Sequence, residues 1–97
     1  MEHITSSEME KYLKSSDEKI CVMFVKNNSA PCSAMLKILN EFSKINNNKI
    51  FIVNPDKETT DKYGIESVPT CIVFEHGAPV GKRFGTLTLK ELDELLR

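Results

Sequence analysis

Three short runs of apolar and β-branched residues restrict what this chain can fold into. They are Ile20–Val25, Ile50–Val53 and Thr70–Phe74, and each has the length of a strand. Strands without polar alternation are typical of a sheet that is covered on both faces. Helical patterns separate these runs, and the longest includes Met35 and Leu39 on its apolar face. The chain is therefore predicted to be an α/β protein with a central sheet between two layers of helices.

The other elements follow from capping and turn patterns. Thr5–Glu8 and Thr88–Glu91 both have the Thr-x-x-Glu spacing of a capping box, which marks the start of a helix. Strands joined through helices imply parallel pairing, whereas the last two strands share a tight turn and must be antiparallel. This order predicts a mixed sheet of four to five strands. The predicted elements are a short strand at 2–4, a helix over about 6–15, the strand Ile20–Val25, a long helix reaching Ile45, the strand Ile50–Val53, a helix over about 57–63, the strand Thr70–Phe74, a turn at His76–Pro79, a strand at Val80–Phe84 and a helix from Leu89.

Composition narrows the classes of function. A chain of 97 residues with 40 % apolar residues is the size of one domain, which we assign to residues 1–97. The net charge of −1 disfavours nucleic acid as a partner, and no apolar run approaches the ~20 residues of a membrane span. Met1–Ile4 lacks the basic and apolar character of a signal peptide, and three cysteines are too few for a disulfide framework. We therefore expect a cytoplasmic monomer with reduced thiols.

The segment Ser29-Ala30-Pro31-Cys32 lies between the strand ending near Val25 and the long helix. Side chains there stand at a helix amino terminus, where free N–H groups and the helix dipole stabilise an anion such as a thiolate. Ser29 is also among the best residue types for a helix N-cap, and Pro31 suits the first helical turn. Val68-Pro69-Thr70 precedes the third buried run, and proline is permitted at the first residue of a strand.

Four segments together resemble the thioredoxin family from the first helix to the last. Ser29-Ala30-Pro31-Cys32 resembles the family's Trp-Cys-Gly-Pro-Cys, and Tyr63–Thr70 resembles the segment leading into its cis-proline. Phe74–Gly77 is similar to the family's Phe-Lys-Asn-Gly turn, and Gly85 stands where the family has a glycine after the last strand. The resemblance implies the thioredoxin fold, a cis bond before the proline, and thiol–disulfide exchange with protein or peptide partners.

The same resemblance exposes four departures from the family's pattern. Ser29 occupies the position of the nucleophilic cysteine, and Cys32 occupies that of the resolving cysteine. Asn28 replaces the family's tryptophan, Met23 stands where a buried acid is common, and Lys37 replaces a helix-kinking proline. A serine hydroxyl forms no thiolate and cannot close a disulfide with Cys32.

Two hypotheses for function follow. The first is a thioredoxin-like redox protein whose dithiol reductase activity is absent or impaired because of Ser29. If Ser29 replaces a natural cysteine, the parent is an active reductase, and the resemblance then implies a flavin-dependent reductase as partner. No G-x-G-x-x-G segment is present, and we expect no cofactor. The second hypothesis is a non-catalytic module that holds extended peptides beside Pro69 through main-chain hydrogen bonds. Its predicted substrate-binding positions are Asn28, Ala30, Pro31, Val68, Pro69 and Thr70.

The cysteines and the serine each have a structural and a chemical interpretation. Cys32 is either an inert buried residue or a thiol that forms mixed disulfides, for example with glutathione. Cys71 is expected in the core, with a Cys32–Cys71 disulfide as the alternative, and Cys21 is expected in the core. Ser29 as a nucleophile needs a basic neighbour, and His76 lies at the far end of its strand. No cysteine or histidine pair has the spacing of a structural zinc site, so we expect no metal.

Overall fold

The computed structural model describes residues 1–97, which form one five-stranded sheet in the order β1-β3-β2-β4-β5 with four helices. The prediction of a mixed α/β sheet flanked by helices is confirmed, and the short first strand is present. None of the helices has both the length and the apolar character needed to span a bilayer. The elements are β1 (Glu2–Ile4), α1 (Ser6–Ser15), β2 (Lys19–Phe24), α2 (Ala30–Ile45), β3 (Lys49–Val53), α3 (Lys57–Tyr63), β4 (Thr70–Glu75), β5 (Ala78–Phe84) and α4 (Leu89–Leu96).

The direction of β4 differs from the sequence-based expectation. β1, β3 and β2 pair in parallel, as predicted for strands joined through helices. β4 follows β3 through α3 and yet pairs with β2 in the antiparallel direction, so that expectation is wrong for β4. Val53, Phe24 and Thr70 stand in one row across the three strands. The connection through α3 therefore leaves and re-enters the sheet at the same end of the strands. As a result, β4 runs in the direction opposite to β2 and β3.

Two apolar layers hold the helices against the sheet. One layer packs the sheet against α2 and α4, and the other packs it against α1 and the segment that follows α3. Each fully buried aliphatic or aromatic side chain contributes about 1.5–3 kcal/mol relative to exposure. The first layer is rich in sulfur. It contains Cys21, Met23, Cys32, Met35 and Cys71 among its 14 residues.

The turn between β4 and β5 is shorter than predicted. The turn consists of His76 and Gly77, with φ angles of 53° and 77°, the positive values that a two-residue type I′ hairpin requires. Ala78 and Pro79 already belong to β5, so the predicted strand start at Val80 is wrong. Proline is tolerated there because β5 is an edge strand, where a missing N–H breaks no inner ladder.

Candidate functional site

The Ser29–Cys32 segment and the Pro69 loop lie at the same end of the strands. The first follows β2 and the second precedes β4, and these two strands are neighbours with Phe24 opposite Thr70. Antiparallel pairing therefore brings the end of one strand beside the start of the other. The Val68–Pro69 peptide bond is cis. Two segments that are far apart in the sequence thus form one surface.

Ser29 is the N-cap of α2. Its Oγ accepts a hydrogen bond from the Cys32 N–H at 3.3 Å, and its carbonyl accepts one from the Ser33 N–H at 3.0 Å. Pro31 lies in the first turn, where a missing N–H costs nothing. Asn28 has a φ angle of 60°, in the left-handed region that asparagine adopts more readily than most residues. Asparagine before a serine cap therefore suits the backbone of this junction.

The Cys32 side chain points into the protein from the first turn of α2. Only 2 % of Cys32 is exposed, and the residue belongs to the apolar layer that also holds Met23. The free N–H groups of the first helical turn and the helix dipole favour negative charge near this position. The Cys32 sulfur forms no hydrogen bond, and Met23 supplies no carboxylate in the apolar layer that the two residues share.

A cleft of about 730 Å³ opens beside Cys32 at the ends of β1, β2 and β3. Glu8 lies in its wall. Hydrogen bonds from the Thr5 backbone and side chain lower the pKa of Glu8, so the carboxylate stays charged. Lys26 also lines the cleft and carries a positive charge, opposite in sign to that of Glu8. The lining residues are His3, Ile4, Thr5, Glu8, Val25, Lys26, Asn27, Asn28, Cys32, Ser33, Leu36, Ile52 and Asn54.

Most of this polar lining was not predicted from the sequence. His3 is the clearest case, because it lines the same cleft as Cys32. The strand register explains this, since His3 pairs with Ile52 and Ile52 pairs with Met23 across the sheet. Had the sequence revealed that the first strand pairs with β3, it would have placed His3 in this row.

The predicted substrate-binding positions divide into surface and buried groups. Asn28, Ala30 and Pro31 are exposed, Val68 is half-buried, and Pro69 and Thr70 are buried. The Thr70 hydroxyl donates to the Ser67 carbonyl at 2.6 Å, and the Pro69 carbonyl accepts from the Gly85 N–H at 2.9 Å. These bonds hold the loop in place. The main-chain N–H and C=O of Val68 form no hydrogen bond within the chain.

Cys71 contacts a different cysteine from the one considered in the sequence. Its sulfur lies 3.1 Å from that of Cys21, and both residues are completely buried. The hydrogen bond between these thiols and the burial of Cys21 raise the pKa of Cys21 well above its usual range. All three cysteines are free, so the alternative of a Cys32–Cys71 disulfide is wrong for this structure.

The remaining chemistry-bearing residues are scattered. His76 lies in the turn between β4 and β5, at the end of the strands opposite to Ser29. Its Nδ1 is 3.7 Å from an oxygen of Asp17. No group of three histidine, cysteine, aspartate or glutamate residues converges on a point where a metal ion could bind.

Comparisons with known proteins agree with this geometry. The family model described as "Thioredoxin" matches residues 1–97. The chain is 33 % identical to thioredoxin from Mycoplasmoides gallisepticum over 100 residues, with 100 % of each covered. It is 37 % identical over 92 residues to chloroplastic thioredoxin Y1 from Arabidopsis thaliana, covering 91 % of this chain but only 54 % of that relative. The solution structure of oxidised thioredoxin from Plasmodium falciparum superposes with a TM-score of 0.82 and 26 % identity, over 99 % of this chain and 94 % of that one. With a family model over its full length and a strand-helix junction that presents one thiol, the chain belongs to the thioredoxin family of redox proteins.

Proposed function

We propose that this protein performs thiol–disulfide exchange through Cys32 alone and does not turn over as a dithiol reductase. The observation that carries the proposal is the contact between position 29 and Cys32. The atom that faces the Cys32 amide is the Ser29 hydroxyl oxygen, at 3.3 Å, where dithiol chemistry requires a sulfur. Ser29 then acts as a helix cap rather than as a nucleophile.

The chemistry of a single thiol is limited to exchange. A Cys32 thiolate attacks a disulfide R–S–S–R′, a Cys32–S–S–R bond forms, and R′–S⁻ leaves. A second thiolate must then attack this mixed disulfide to release Cys32. Position 29 carries no sulfur, and Cys71 already contacts Cys21, so an external thiol must supply that step. We infer that a small disulfide approaches Cys32 from the cleft that it lines, and that the side chains covering Cys32, which is 2 % exposed, move to admit it.

Protein or peptide disulfides are the proposed substrates, because the main-chain groups of Val68, in the loop before β4, form no hydrogen bond within the chain and can pair with an extended peptide. A flavin-dependent reductase is the proposed partner only of a dithiol form, since such an enzyme reduces a disulfide that this chain cannot form at position 29. Three free cysteines suit a reducing compartment, which supports the cytoplasm as the proposed location.

Turnover of a disulfide substrate tests the proposal directly. The parent protein is compared with Ser29→Cys, Ser29→Ala and Cys32→Ser, with a thiol reductant supplied. We expect fast turnover in Ser29→Cys. The parent and Ser29→Ala should form a mixed disulfide with glutathione and turn over slowly, at a rate set by the supplied external thiol. Cys32→Ser should form no mixed disulfide and show no turnover above background. Turnover in the parent as fast as in Ser29→Cys would show that a sulfur at position 29 is not needed and would overturn the proposal. No turnover in Ser29→Cys would mean that the surroundings of the motif no longer support catalysis.

A non-catalytic binding module is the second candidate. The unpaired N–H and C=O of Val68 are available for main-chain bonds to an extended peptide, and Phe84, opposite Thr70, is 56 % exposed beside this loop. Titration of Cys32→Ser with extended peptides distinguishes this candidate. Binding that persists without the thiol, and weakens when the peptide backbone is N-methylated, supports a module. Binding that requires Cys32 supports exchange chemistry.

A further inference from the structure

The Cys21 and Cys71 thiols form a pair that the proposed function does not use. Cys21 lies on β2 opposite Val73, and Cys71 lies on β4 opposite Met23, so the two are diagonal neighbours on adjacent antiparallel strands. Both side chains project into the layer between the sheet and α2. Their sulfur atoms are 3.1 Å apart.

This is the one place in the chain where two sulfurs are within reach of a covalent bond. The third cysteine, Cys32, forms no hydrogen bond with either of them. A disulfide has a sulfur–sulfur distance of about 2.05 Å, so the Cys21 and Cys71 sulfurs need to approach by about 1 Å. Any intramolecular dithiol–disulfide chemistry available to this sequence therefore runs through these two strands.

We propose that Cys21 and Cys71 are a second, internal redox site, which hydrogen peroxide oxidises to a disulfide. Peroxide first converts one thiol to a sulfenic acid and releases one water. The other thiol then attacks that sulfur, the disulfide forms, and a second water leaves. In total, two thiols and one peroxide give one disulfide and two waters. Each sulfur loses one electron, and the two peroxide oxygens gain them.

Burial determines which oxidants reach the site. Both residues are completely buried and neither lines the cleft that Cys32 lines, so a protein disulfide or a bulky reagent has no opening to these two thiols in the closed core. Hydrogen peroxide is close to water in size. The raised pKa of Cys21 keeps this thiol protonated in the closed structure, so its oxidation there is slow.

Bond formation must also move the sheet. Diagonal neighbours on antiparallel strands have alpha carbons about 7–8 Å apart, at the limit of about 7 Å for a bridge without backbone movement. The disulfide therefore draws β2 and β4 together at one point. Since β2 leads into the Ser29–Cys32 segment and β4 follows Pro69, both sides of the candidate site are attached to the bridged strands.

The test uses Cys32→Ser, in which Cys21 and Cys71 are the remaining thiols, so its result does not depend on the proposed function. The folded protein is treated with hydrogen peroxide, denatured, alkylated with iodoacetamide, and digested with trypsin without reduction. We expect loss of both alkylation sites and a cross-linked pair of peptides covering residues 20–26 and 63–82. Dithiothreitol should separate the pair. The matched control, Cys32→Ser with Cys71→Ser, should give no such pair.

Two results would overturn the proposal. One is that both thiols remain alkylatable after peroxide has oxidised an exposed free thiol of a reference peptide to completion. The other is that the cross-link forms in denaturant but not in the folded protein, which would assign it to the unfolded chain. Should Cys71→Ser prevent folding, Cys71→Ala in the same background serves as the control, because alanine fits a buried position without an unpaired hydroxyl.

Discussion

Replacing Ser29 by alanine removes the side-chain acceptor at the amino terminus of α2. Loss of a serine N-cap costs about 0.5–2 kcal/mol, typically near 1. The capping bond here is 3.3 Å long, against the usual value of about 2.9–3.0 Å, and Ser29 is only half-buried, so water replaces part of it. We therefore expect a loss in the lower half of that range, about 0.5–1 kcal/mol. In a domain of this size such a loss lowers the Tm by roughly 2–8 °C.

Matched variants separate capping from other causes. Ser29→Asn keeps an acceptor at the N-cap and should unfold close to the parent temperature. Thr88→Ala removes one bond of the capping box at α4, the 3.1 Å bond from the Glu91 N–H to the Thr88 hydroxyl, and should cost about 1 kcal/mol. Thermal and urea denaturation of the parent and the three variants measure their order of stability. If Ser29→Ala matches the parent while Thr88→Ala is destabilised, Ser29 does not stabilise α2 and its structural interpretation is refuted.

Three further predictions concern the rest of the fold. Gly77→Ala should unfold at a lower temperature than Gly85→Ala, because both have positive φ but only the Cβ at Gly77 meets a backbone oxygen, 2.7 Å away; equal calorimetric Tm values would contradict this. Phe42→Ala, at a site 1 % exposed, should cost about 3–5 kcal/mol in urea denaturation, and a cost below about 1 kcal/mol would argue against close packing. The pKa of Cys21 is raised in the folded protein, so the protonated thiol stabilises the fold fully at a pH below about 8.5, the thiol pKa in the unfolded chain. This stabilisation is lost as the pH rises above that value. The free energy of unfolding should therefore fall by up to about 1.4 kcal/mol per pH unit there, and a Cys21→Ala variant with the same slope in urea titrations would exclude this cause.

The local patterns predicted most of the elements because they depend on near neighbours in the chain. The capping threonines Thr5 and Thr88 mark the helix starts at Ser6 and Leu89, and the reciprocal hydrogen bonds of both boxes are present. The direction of β4 was not predictable in this way. It depends on where the connection through α3 re-enters the sheet, and no residue of β4 itself records that.

The candidate site was only partly accessible from the sequence. The motif and its resemblance to a family identified Ser29, Cys32 and the Pro69 loop, because these residues are recognisable in order along the chain. The cleft beside Cys32 was missed because His3 and Asn54 reach it from different strand ends. Cys71 was expected in the core, where it lies, but its neighbour there was not predicted. An approach to Cys32 was considered, whereas the strand register brings Cys71 to Cys21.

The sequence by itself determined the alternation of buried strands and capped helices, the family, and the absence of a sulfur at position 29. These are properties of residue identity and of spacing along the chain. The tertiary structure decided that the Cys21 and Cys71 thiols are in contact and that Cys32 lines a cleft. It also decided that the main-chain groups of Val68 remain unpaired. Those properties depend on strand order and register. A sulfur–sulfur distance is set by the pairing of two strands 50 residues apart, and neither strand specifies that pairing alone.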